Sequence, residues 1–225
     1  LGINDKIQAL GNAVRLIAGG NMSGAIALAT HIAADSAELA ADKGIGSSAA
    51  IKTQVSEIEA VNTTSGNIML DNTGNLTGTG AGVDNQAANG DVYLTTHSDL
   101  TLEAAIKSGD LVSLDVDGAL YDKHSNEDVI ADELALKLKD GIKASGGWND
   151  VLDTQVSDLA AENSGTGTLK IRNTGDLDIT KVTTDAGDMI GVANAASGQD
   201  VSVESTGELR ITRDGQVVTD GGNID

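Results

Sequence analysis

Apolar and polar residues alternate along most of this chain, in short runs punctuated by glycine. Gly66-Asn-Ile-Met-Leu70 is followed by Gly74-Asn-Leu76, and Gly90-Asp-Val-Tyr-Leu94 leads to Asp99-Leu-Thr-Leu102. Gly167-Thr-Leu-Lys-Ile171 precedes Gly175-Asp-Leu-Asp-Ile179 in the same way, and Val201-Ser-Val203 precedes Gly207-Glu-Leu-Arg-Ile211. A period of two over such short stretches predicts β-strands with one buried face. The leading glycines recur at 66, 90 and 109, then at 167 and 187. That spacing predicts coils of about 20–24 residues, so the expected fold is an all-β parallel β-helix, or β-solenoid.

A longer period lies above this one. Residues 53–76, TQVSEIEAVNTTSGNIMLDNTGNL, return without a gap at 154–177 as TQVSDLAAENSGTGTLKIRNTGDL. Residues 35–45 also align with 132–142, at a shorter offset. An insertion around Gly146-Gly147-Trp148 reconciles the two offsets. One continuous solenoid over 1–225 is expected, with a long internal repeat at 32–122 and 129–225. Agreement between the copies predicts that Val55, Ile58, Ile68, Leu70 and Leu76 point inward, as do Val156, Leu159, Leu169, Ile171, Leu177 and Ile179. Residues 5–20, 31–46 and 128–143 are rich in good helix formers. The alternation of Leu134, Leu136 and Leu138, and of Ala37 and Leu39, favours strand there; a short helix near the N-terminus is the alternative.

Composition supports a narrow, repetitive interior. The 225 residues include 28 Gly but no Pro, Cys or Phe, one Trp and two Tyr. Ala, Val, Ile and Leu must fill the core, and a strand paired on both edges cannot give up an N–H to proline. The formal net charge of −20 opposes contact with phosphate backbones, so nucleic acid is excluded as a partner. Without cysteine there is no disulfide framework and no thiolate metal site. No run reaches membrane-spanning length, so no membrane insertion is expected. The chain starts at Leu1 without an initiator methionine and stops on a turn-like Asp220-Gly-Gly-Asn-Ile-Asp225. More protein is therefore expected to cover both ends, as flanking repeats or as identical subunits stacked head to tail.

The order of motifs in 131–179, and again in 34–76, resembles the repeats of filamentous haemagglutinin-type bacterial exoproteins. It runs from Ala-Asp with alternating leucines, through Gly-Ile and Thr-x-Val-Ser, to Asn-Thr-Gly-x-Leu. The resemblance implies a right-handed parallel β-helix and secretion to the bacterial cell surface. It also implies attachment to cells, surfaces or a biofilm matrix, with a glycan or cell-surface receptor as the outside partner. A self-assembling filament or sheath subunit is the alternative, and a carbohydrate-active enzyme on the same scaffold a more distant one.

Candidate chemistry is sparse. Asn72 and Gly74, with Asn173 and Gly175, are expected to form structural turns, the asparagines bonding locally and the glycines taking positive φ. Asp115, Asp117 and Asp122 cluster without the ligand order of a calcium loop and are expected to be solvated. His31, His97 and His124 lack metal-ligand spacing, and no Ser-His-Asp arrangement can be picked out. Trp148 is read as a packing or self-contact residue. No residue is nominated as catalytic, as cofactor-binding or as a metal ligand, no cofactor is expected, and the chain is read as non-enzymatic.

Overall fold

The alternation at 132–142 becomes a strand, Glu133–Leu138, whose Leu134, Leu136 and Leu138 all turn inward. Ala37 and Leu39 do the same in Ile32–Ala41. The computed structural model describes residues 1–144 and 150–225, and among the described residues it contains 26 strands and no helix. The N-terminal helix-prone segment is a strand, Ile7–Ala18, paired in parallel with Ile32–Ala41. The helical alternative is thus overturned. Helix propensity separates residues by only a few tenths of a kcal/mol, whereas stacking on the next coil buries Val14 and Ala18 and satisfies a row of backbone groups.

Each strand lies over its successor about one coil later, giving a β-solenoid of about nine turns. Outside one lengthened coil, register steps range from 19 residues, Thr53 to Asn72, to 25, Ile7 to Ile32. Two walls dominate. One stacks Ile51–Gln54, Ile68–Asn72, Val92–Thr96, Leu111–Val116, Glu133–Leu138 and Asp158–Asn163. The other stacks Glu57–Asn62, Leu76–Asn85, Ile106–Lys107, Val129–Ile130, Leu152–Gln155, Leu169–Asn173 and Val201–Ser205. Between them runs one column of Ile, Leu, Val and Ala, which includes all eleven inward positions expected from the repeat. Burying each large aliphatic side chain is worth about 1.5–3 kcal/mol, repeated at every coil.

The two copies of the repeat do not sit on the same wall. Thr53 belongs to the first wall, but its counterpart Thr154 belongs to the second. Ala60, on the second wall, leads through Val83, Ile106 and Val129 to Thr154 in four parallel steps. Thr53 precedes Ala60 by half a coil, so one copy spans about four and a half turns.

One element departs from the coil rule. Lys181–Thr184 and Gly187–Ile190 form an antiparallel hairpin, the sole antiparallel strand pair among the described residues. It lengthens its coil, so that Leu177 pairs with Leu209, 32 residues on. Gly187, expected to open a coil, sits at the hairpin turn with φ 126°. The hairpin lies on the outside of the first wall, where Val182 joins Leu111, Ala135 and Ala160 in a small buried cluster edged by Tyr93 and Met189.

Candidate functional site

The repeated sentence builds a repeated groove. Val55 turns into the core after Gln54, and the corner is held by Asn72, the last residue of its strand one coil later. Asn72 Oδ1 accepts from the Thr53 hydroxyl at 2.8 Å and from the Val55 N–H at 3.1 Å. In the second copy Asn173 Oδ1 accepts from the Thr154 hydroxyl and the Val156 N–H, both at 2.9 Å. Gly74 and Gly175 then carry the chain away at φ 96° and 100°, a conformation that costs an L side chain strain. Asn72, Gly74, Asn173 and Gly175 therefore belong to two equivalent corners. One groove, about 340 Å³, is lined by Gln54, Ser56, Thr73 and Asn75; the other, about 430 Å³, by Gln155, Ser157, Thr174 and Asp176. Their walls offer hydroxyls, amides and backbone groups. Asp132 and Asp176 make the second groove the more acidic.

The acids flagged in the sequence separate. Asp115 pairs with Lys137 at 3.0 Å, and Asp117 accepts from His97 at 3.1 Å while Asp71 takes the other ring nitrogen at 3.0 Å. The hydrogen bond to Asp117, and the charge of Asp71 with it, hold the His97 imidazole above its ordinary pKa. Asp122 corrects the expectation of solvated turn acids: it is 2% exposed. It neighbours Asp128, which is completely buried and was not singled out in the sequence. Burial, reinforced by the neighbouring Asp122, pushes Asp128 up to about 9, so this pair holds a proton at neutral pH. Asp128 Oδ2 accepts the Asp153 N–H at 3.1 Å, and Asp122 Oδ1 accepts the His124 N–H at 2.7 Å. His124 Nδ1 and Asp128 Oδ1 face each other at 4.0 Å.

His31 is structural. Its Nδ1 accepts the Lys52 N–H at 2.8 Å, which leaves Nε2–H to donate to the Ala25 carbonyl at 2.9 Å. Trp148 lies outside the described residues, as does the insertion around it. Among the described residues no group of three His, Asp or Glu stands where one metal ion could be held. The buried Asp122–Asp128 pair was missed because acids in a Gly- and Asp-rich stretch read as surface. The clue available was Asp128 itself, placed immediately before the apolar pair Val129–Ile130, where the chain re-enters the stack. Compared with protein family models, with curated proteins and with solved structures, the chain matches none.

Proposed function

We propose that this chain is a non-enzymatic structural segment of a repeat-built bacterial surface protein, a rod that supports attachment to cells, surfaces or a biofilm matrix. The observation that carries this reading is the continuous parallel stacking of coils from Ile32–Ala41 to Val201–Ser205. In such a stack added sequence becomes added length, about 4.8 Å per coil. The resemblance of 34–76 and 131–179 to filamentous haemagglutinin-type repeats supports the extracellular setting. The hydroxyl- and amide-lined grooves suit polar contact with an outside partner more than turnover of a substrate. The test is retention of beads coated with the chain on cells and on biofilm matrix, against beads coated with an unrelated acidic protein. Equal retention would sink the adhesive part, and release of reducing sugar from matrix glycans would replace it with an enzymatic reading.

A filament subunit is the second reading, favoured by the last coil. Leu209, Ile211, Val218 and Ile224 are 43–59% exposed there, beside an apolar depression of about 260 Å³ that Val201, Val203 and Val217 also line. A further parallel coil pairing along that edge, supplied in a filament by a second copy, would cover it. Light scattering and electron microscopy at rising concentration distinguish the readings: end-to-end elongation supports the filament, and a constant monomer removes it.

A further inference from the structure

In the first copy the outward positions of three successive coils are Arg15, Glu38 and Glu59, in register and facing solvent. Arg15 and Glu38 form an ion pair at 2.6 Å. In the second copy the counterparts of Glu38 and Glu59 are Ala135 and Ala160, and both are completely buried although they point away from the core. The hairpin covers them. Register places Tyr93, Ser113, Ala135 and Ala160 in one outward row over four coils. Val182 shares one buried cluster with Ala160, Ala135 and Leu111, which belong to three successive coils, and its strand lies against both Glu133–Leu138 and Asp158–Asn163. A four-residue strand is about 13 Å long and coils repeat every ~4.8 Å, so a hairpin laid along the axis reaches across nearly three of them. Asp185, at the tip, lies close enough to Tyr93 to act on its hydroxyl.

We propose that the hairpin is an axial brace, which locks at least three coils into one mechanical and folding unit, whatever the rod binds. Coils of a solenoid otherwise touch only their immediate neighbours, so opening propagates one coil at a time. The cluster around Val182 adds a link between coils that are not neighbours. The alanines are the seat for it, since a larger or charged outward residue would lift the hairpin from the wall. Lys181 and Asp188 pair at 3.1 Å on the outer side, and Thr183 donates to Asp188 at 2.8 Å, which keeps the two arms together.

The experiment is native-state hydrogen exchange of the full chain under mild denaturant, reading Leu114, Leu136 and Ala161, one wall residue from each braced coil. In the unmodified protein these amides should open together, with one free energy and one denaturant dependence. Val182→Ser should lower their protection at least tenfold and split it into a graded series, leaving Leu39 and Ala60 in the first copy unchanged. A second variant, with Lys181–Ile190 replaced by two glycines and Ala135→Glu and Ala160→Glu restoring the first copy's surface, should also split the series. Independent opening of the three amides in the unmodified protein would overturn the proposal. So would unchanged protection in Val182→Ser, including the case in which the variant merely gains binding of an apolar dye, which would make the hairpin a lid.

Discussion

Asn62 donates its side-chain amide to Asn85 at 2.8 Å, and Asn163 donates in the same way to Asn194 at 2.9 Å. Both bonds run between coils in places that water does not reach. Asn163 also accepts the Gly141 N–H at 2.9 Å and donates to the carbonyls of Thr166 and Gly167. Its amide is matched on both sides, acceptor toward donor and donor toward acceptors. Asn163→Asp, nearly the same shape, would aim a carboxylate at three oxygens. The expected loss in urea unfolding at neutral pH is ~3 kcal/mol or more, since a buried charge would stand opposite like partial charges. Asn163→Ala should cost somewhat less, and acidification should recover part of the loss for Asp alone.

Ile171 is stacked between Leu152 and Val203 in the core column. Ile171→Val removes one methyl and should cost about 1 kcal/mol. Ile171→Asp should cost several, because the carboxylate would be buried without a partner. Equilibrium unfolding of the two variants side by side checks both the size and the ratio.

Asp128 gives the stability a pH dependence of definite sign. Its folded pKa, about 9, lies above the ordinary carboxylate value, so the folded state binds a proton that the unfolded chain releases. Its contribution to stability therefore falls as pH rises from about 4 toward 9. Asp128→Asn copies the protonated form, keeping an oxygen for the Asp153 N–H and placing a donor toward Asp122. Near pH 4 its melting temperature should lie close to that of the unmodified protein. By pH 8 it should be several degrees higher. A variant less stable at both pH values would refute the assignment of a shared proton.

Divalent cations should act diffusely. Glu133, Asp158 and Asp178 stack in register along one wall, and burial together with neighbouring carboxylates raises the pKa of Glu133 and of Asp158. Millimolar calcium and magnesium should raise the melting temperature by similar amounts through screening of this charge. Calorimetry showing one tight, calcium-selective site would contradict that.

Much of the scaffold is legible because solenoid strands obey a local rule. Leu134, Leu136 and Leu138 declare an inward face by themselves, and the copy at Ala37 and Leu39 confirms the register without knowledge of the partner strands. What escapes is long-range. Residues 181–190 alternate like any other strand pair, and Gly187 mimics a coil opening, so nothing local distinguishes a hairpin outside the wall from a coil within it. The signal lay elsewhere, in the exchange of Glu38 and Glu59 for Ala135 and Ala160. Asp122 and Asp128 escape for a related reason: their burial is set by neighbouring coils, whereas the polar stretch 123–127 between them reads as surface.

The half turn left over by each copy has a consequence for how such a rod would present itself. Were the repeat a whole number of turns, every Thr-Gln-Val-Ser corner would face one way, and further copies would make a one-sided comb. Because Thr53 and Thr154 fall on different walls, successive copies face alternate sides, and the same side returns only every second copy, after about nine turns or ~43 Å. A partner recognising this corner would meet a staggered, two-sided array. Two rods could then be bridged through a third lying between them, so this arithmetic of turns favours a network over a bundle with a single sticky face.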